Sequence, residues 1–112
     1  MQKAEMLKKN ADFKKVYARG KSVVSPYVVL YYLKNGLAES RVGIAVSKKV
    51  GNSVTRNRAK RLIRESFRLC SFEIKPGHDL VFIARVRMGH TDFKTTSRYM
   101  NQVLAKLRKE NS

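Results

Sequence analysis

Eight basic side chains crowd the segment Ser47–Arg68: Lys48, Lys49, Arg56, Arg58, Lys60, Arg61, Arg64 and Arg68, with Glu65 the sole acid among them. The guanidinium fork of arginine suits phosphate and can also stack on bases. A ridge of such groups therefore fits a polyanion backbone, where phosphate contacts set position and salt dependence. At roughly 100° per residue, counted from Arg56, the apolar residues Leu69, Leu62, Ala59, Cys70, Ile63 and Phe67 fill one arc. Lys60, Arg64, Asn57, Arg68, Arg61 and Arg58 fill the other, and Arg56 sits at the edge of the apolar arc, next to Phe67. The plain alternative is a solvated helix face. Against it, Arg56 with Lys60, Lys60 with Arg64, and Arg64 with Arg68 repel at i and i+4, which costs free energy unless an anion binds.

A second group of residues suits single-stranded nucleic acid. Phe13, Tyr17, Tyr27, Tyr31 and Tyr32 are interleaved with Lys9, Lys14, Lys15 and Lys21. Bases stack on aromatic rings with little regard to sequence. For any single ring a core position is the simpler reading, and tyrosines are the better platform members because of their polar tips. Strand alternation places Tyr27 and Tyr31 on one face and Tyr32 on the other.

Other chemistries find little support. Cys70, His78 and His90 lack metal-ligand spacing. The eight acids are scattered singly, so no general acid/base or two-metal pair is evident. Gly51-Asn52-Ser53 lacks the spacing of a phosphate loop. No catalytic residue is assigned to this polypeptide.

These groups need elements to hold them. The 112 residues suit one domain, 1–112, and 43% hydrophobic content is too high for a disordered basic tail. The formal charge of +17 calls for a compensating partner, nucleic acid first and an anionic membrane second. A lone cysteine gives no intrachain disulfide, no apolar run approaches membrane-spanning length, and the N-terminus does not read as a signal peptide. Together these point to the cytoplasm.

Asn10 can cap a helix running to about Arg19, stopped by Gly20, with Phe13, Val16 and Tyr17 on one face. Tyr27–Leu33 and Arg41–Ser47 read as strands joined through Asn35-Gly36 into an antiparallel hairpin. Gly43, Ala45 and Ser47 make a low-relief face that another element can approach. Asn52 or Ser53 caps the basic helix. Asp79–Val86 is a strand covered on both faces. Thr91 or Asp92 caps a last helix to about Lys109, with Phe93, Ser97, Met100, Val103, Leu104 and Leu107 on its core stripe. The order is α-β-β-α-β-α, an α+β sandwich, with a further short strand near Lys21–Val24.

The run Arg56-Asn57-Arg58-x-Lys60-Arg61-x-x-Arg64, after Val46-Ser47-Lys48-Lys49-Val50-Gly51-Asn52, closely resembles the signature of the bacterial ribonuclease P protein component. Leu7-Lys8-Lys9, Asp12-Phe13, Val16-Tyr17 and Gly20 resemble that family's opening helix, and Ile83-Ala84-Arg85 its late strand. The resemblance implies a ribosomal protein S5 domain 2-like fold. That fold is a small mixed four-stranded sheet in α-β-β-β-α-β-α order, with a left-handed β-α-β crossover that ordinary handedness rules would not suggest. It implies the protein subunit of an endoribonuclease that removes the 5′ leader of precursor tRNA, where the RNA subunit performs Mg²⁺-dependent chemistry and the protein broadens substrate range.

By position, Arg56, Asn57, Arg58, Lys60, Arg61, Arg64 and Arg68, with Lys48 and Lys49, meet the catalytic RNA. Phe13, Tyr17, Tyr27 and Tyr31 border the leader in a cleft. Mg²⁺ is held mainly by the RNA, and a protein-held metal near the cleft is left open. The partners implied are that RNA and the leader, not DNA and not a membrane. The rival reading is a small ribosomal or other structural RNA-binding protein, which gives no reason for an aromatic groove. An autonomous nuclease would need clustered carboxylates, and a DNA-binding protein a helix-turn-helix pairing absent before the basic helix.

Overall fold

The structure is a computed structural model and describes residues 4–70 and 72–110. Met1, Gln2 and Lys3, part of the N-terminal stretch judged not to be a signal peptide, lie outside the described residues. In chain order the elements are β1 (Glu5–Met6), α1 (Asn10–Arg19), β2 (Lys21–Val24), β3 (Val28–Lys34), β4 (Arg41–Ala45), α2 (Ser53–Arg68), β5 (His78–Ala84) and α3 (Phe93–Glu110). Short 3-10 turns at Lys48–Val50 and Val86–His90 follow β4 and β5. The α-β-β-β-α-β-α order is present, and the short strand at Lys21–Val24 is real. The sheet has five strands rather than four, because β1 adds two residues alongside β4.

The strand order is β1-β4-β5-β3-β2. The expected hairpin between β3 and β4 does not form, since β5 lies between them. Asp79 pairs with Leu33 of β3 on one side and with Arg41 of β4 on the other. The reason is burial. β5 is apolar on both faces and needs both edges paired as well, so it takes the centre of the sheet. The hairpin that does form joins β2 to β3, with Val24 opposite Val29. β4 and β5 run parallel, and α2 is the crossover between them.

Alternation divides the core into two layers. Val28, Leu30, Tyr32, Val42, Leu80, Phe82 and Ala84 face α2 and α3, where they meet Ala59, Ile63, Phe67, Met100, Val103, Leu104 and Leu107. Phe67 and Phe82 lie 5.8 Å apart at a tilted angle. Each fully buried Leu, Ile or Phe here contributes about 1.5–3 kcal/mol. The opposite face carries Tyr31, Leu33, Val81 and Ile83 against Leu7, Phe13 and Val16 of α1 and its approach.

Helix ends follow local chemistry in two of three cases. Asn52 accepts from the Thr55 N–H at 2.9 Å, and Asp92 accepts from the Thr95 N–H at 2.8 Å. α1 instead begins at Asn10 itself, preceded by Lys9 with no side-chain cap. Two apolar residues expected in the core are exposed, Leu69 beyond the end of α2 and Phe93 at the start of α3. The helical wheel counts them as inward, but at a terminus the helix has left the layer it packs on. Thr96 and Ser66 take buried positions on the inner faces instead.

Candidate nucleic-acid interface

The basic helix owes its orientation to three anchors one turn apart, Ala59, Ile63 and Phe67, which are all buried. Gly51 precedes it with φ +153°, a conformation that strains any other residue, and a Cβ there would also press on Thr55. With the inner face fixed, Asn57, Arg61, Arg64 and Arg68 are exposed, and Arg56, Arg58 and Lys60 are half-buried. Lys48 and Lys49 are exposed just before the helix. Arg68 pairs with Glu65, which lowers the Glu65 carboxyl and raises the guanidinium, the hydrogen bond being the main cause in each. Among the described residues Arg56, Arg58, Lys60, Arg61 and Arg64 form no salt bridge with a carboxylate. Arg56, at the edge of the apolar arc beside Phe67, buries its Nε without a hydrogen-bond partner among the described residues.

The aromatic group assembles on the other face of the sheet. Phe13 and Tyr17 from α1 lie with centroids 6.5 Å apart, and Tyr17 meets Tyr31 of β3 edge-on at 5.3 Å. Tyr17 is 39% exposed, and Phe13 and Tyr31 are half-buried. Burial, and then the neighbouring Tyr31, push the Tyr17 phenol up, so it is neutral at physiological pH. The low-relief face of β4 has its expected use. A Cβ on Gly43 would come within 2.5 Å of the Phe13 ring, so only glycine lets that ring settle on the strand. Tyr27 does not join this trio. It precedes β3, packs with the α2 and α3 layer, and stacks on Tyr99 at 4.9 Å, beyond the reach of strand alternation.

One polar network was not foreseen. Arg41 Nε and Nη2 donate to the two oxygens of Asp79 at 2.8 and 2.6 Å. Arg41 Nη1 reaches Asp12 of α1 at 3.4 Å, and Asn35 Nδ2 donates to Asp79 at 2.9 Å. Burial acts most strongly on Asp79 and would raise its carboxyl. The hydrogen bonds from Arg41 and Asn35, aided by the charges of Arg41 and Lys15, outweigh it and leave the group lowered. The network ties β3, β4, β5 and the first turn of α1 together beside Phe13. Its members are 38 and 44 residues apart in sequence, and no local pattern marks them.

Two surfaces thus lie back to back on the sheet. Val42 and Ile44 of β4 face the α2 layer, and Gly43 lies against the Phe13 ring of the aromatic trio. Among the described residues no three His, Cys, Asp or Glu side chains gather to hold a metal ion, and no helix is long and apolar enough to cross a membrane. Asp12, next to Phe13 in sequence, and Asp79 are both paired with Arg41.

The chain matches the family model described as Ribonuclease P over residues 1–108. It is 50% identical over 100 residues to the ribonuclease P protein component of Thermoanaerobacter sp. (strain X514), covering 89% of this chain and 86% of that protein. Against the ribonuclease P protein component of Clostridioides difficile (strain 630) it is 58% identical over 89 residues, 79% of this chain and 78% of the relative. The solved structure of the Staphylococcus aureus RNase P protein superposes with a TM-score of 0.84 at 38% identity, over 95% of this chain and 99% of that one. With the basic helix, the crossover and the aromatic face all in place, the chain belongs to the ribonuclease P protein family, the protein component of a tRNA-processing endoribonuclease that works as a ribonucleoprotein with its RNA subunit.

Proposed function

We propose that the two faces of the sheet divide the work of the holoenzyme. The exposed face of α2, with Arg56, Asn57, Arg58, Lys60, Arg61, Arg64 and Arg68, docks on the RNA subunit, and Lys48 and Lys49 extend that contact. The groove of Phe13, Tyr17 and Tyr31 takes the single-stranded 5′ leader of precursor tRNA. Tyr27 stands outside the groove and is not assigned to the leader. The observation that carries this reading is the pairing of an almost purely cationic helix face, its charges largely free of carboxylate partners, with a separate half-exposed aromatic trio across the sheet. A structural RNA-binding protein needs the first and not the second.

The chemistry belongs to the RNA, with Mg²⁺ held there. The acids Asp12 and Asp79, near the aromatic trio, are paired with Arg41. This chain's part is to neutralise phosphate repulsion, fix the RNA's orientation and hold the leader. The work takes place in the cytoplasm. The test is reconstitution. Mixed with a bacterial ribonuclease P RNA, the protein should restore precursor-tRNA cleavage at low Mg²⁺, and alone it should be inert. Cleavage by the purified protein without RNA would overturn the assignment of catalysis to the RNA.

A further inference from the structure

Arg41 opens β4, and Asp79 stands opposite it on β5. Arg41 Nε and Nη2 donate to the two oxygens of Asp79, whose side chain is 5% exposed, and Asn35 Nδ2 donates to the same carboxylate. A planar guanidinium gripped at two nitrogens has its third nitrogen placed as well. That nitrogen, Nη1, donates to Asp12 Oδ2 at 3.4 Å. Asp12 lies in the first turn of α1, directly before Phe13. Among the described residues this is the only side-chain hydrogen bond or ion pair that joins α1 to the sheet.

The other contacts of α1 with the sheet are apolar. Val16 is fully buried with Val81, and the Phe13 ring rests against Gly43, two residues from Arg41 on the same strand face. Apolar burial is non-directional. It holds the helix down without by itself fixing its tilt, whereas a charge-assisted bond to a fixed nitrogen sets one position. At the far end of α1, Gly20 fits so closely on β3 that a Cβ would meet the Tyr32 carbonyl oxygen at 2.6 Å. With that end pinned, the bond to Asp12 decides where the first turn lies. Phe13 belongs to that turn, and Tyr17 stands one turn on, edge-on to Tyr31 at 5.3 Å. The Arg41–Asp12 pair is partly exposed and adds little to stability. Its effect is on placement.

We propose that Arg41 is a positioning residue for recognition of the 5′ leader. Held on Asp79, it fixes the first turn of α1 through Asp12 and so sets Phe13 and Tyr17 against Tyr31. The role rests on the reading of that trio as the leader site. Lysine cannot fill it, because one ammonium does not span both oxygens of Asp79 and also reach Asp12.

The test sets Asp12→Ala, Asp12→Asn and Arg41→Lys beside Tyr31→Ala in the reconstituted holoenzyme. Affinity is measured for leader-bearing precursor tRNA and for mature tRNA. Asp12→Ala should weaken the precursor by about two- to fivefold, the size expected of a part-exposed pair, and leave mature tRNA unchanged. Asp12→Asn keeps an oxygen for Nη1 and should recover most of that loss. Arg41→Lys should lose at least as much as Asp12→Ala. A second readout needs no RNA. In the free protein with labelled tyrosine, the ring signals of Tyr17 and Tyr31 should move in Asp12→Ala and stay in place in Asp12→Asn. Tyr99, stacked on Tyr27 away from the trio, is the internal control. Unmoved Tyr17 and Tyr31 signals in Asp12→Ala, or full precursor affinity in Arg41→Lys, would overturn the proposal. So would an equal loss for both RNAs in Asp12→Ala while Tyr31→Ala costs only the precursor. If Tyr31→Ala itself costs both alike, the trio is not the leader site, and the proposal falls with that reading even where the ring signals move.

Discussion

Arg61 and Arg64 are exposed and form no salt bridge among the described residues, so their charges are available for phosphate at little cost. Replacing either with alanine should weaken binding to the RNA subunit and reduce the slope of log affinity against log salt by about one contact. An unchanged slope would remove that residue from the interface. Arg68 should contribute less, since it already faces Glu65. Asp79 matters in a different way, as the hub that Arg41 and Asn35 grip. Its carboxyl is held below the ordinary range, so its stabilising effect is complete above the unfolded value of about 3.9 and is lost as pH falls through the lower folded value. Asp79→Asn should cost roughly 2–3 kcal/mol near neutrality, below the range for a fully buried pair because Arg41 is a quarter exposed. The penalty should shrink in acid. A variant whose deficit stays constant from pH 6 down to the acid transition would show that the charge is not what matters.

At the level of elements, the groove depends on how closely α1 can approach β4. Gly43→Ala places a methyl within 2.5 Å of the Phe13 ring, which must then move. Overpacking of this kind costs about 1–3 kcal/mol. The larger effect should fall on affinity for leader-bearing precursor, with docking of the RNA subunit on the far face retained. Loss of both in equal measure would mean that β4 as a whole has been disrupted.

The elements whose causes are local were legible in the sequence. Asn52 and Asp92 are caps, Ala59, Ile63 and Phe67 keep helical spacing, and the apolar run of β5 announced burial on both faces. What depends on distant partners was not. Asn35-Gly36 reads as a hairpin turn, yet Asn35 spends its side chain on Glu39, Leu37 and Asp79 in a wider connection that leaves room for β5. Tyr27 sits one residue before β3 begins, so alternation does not govern it, and Tyr99 from α3 claims its ring. Leu69 and Phe93 lie where a helical wheel has no layer to face. Of the aromatic group, residue type and spacing marked Phe13, Tyr17 and Tyr31 but equally Tyr27 and Tyr32, which pack on the other face, and the Arg41–Asp79 clamp beside the trio required the folded sheet.

For the whole molecule the dominant quantity is a net charge of +17 on 112 residues. Self-repulsion at that density opposes the compact state, and salt screens it. The free protein should therefore melt at higher temperature as salt is raised from about 10 mM to 150 mM, with the largest gain from polyvalent anions. A melting temperature indifferent to ionic strength would indicate that the charges are already balanced within the fold. On the proposed division of work, the RNA supplies that balance in the holoenzyme, with the basic helix on one side of the sheet and the aromatic trio on the other. The central claim is that the aromatic side reads the leader. The most direct measurement is the affinity of the reconstituted holoenzyme for leader-bearing precursor tRNA and for mature tRNA, with Tyr31 and with Tyr31→Ala. The account predicts a loss of roughly 1–3 kcal/mol for the precursor and little change for mature tRNA. Equal losses for both would contradict it and make the ring a structural one.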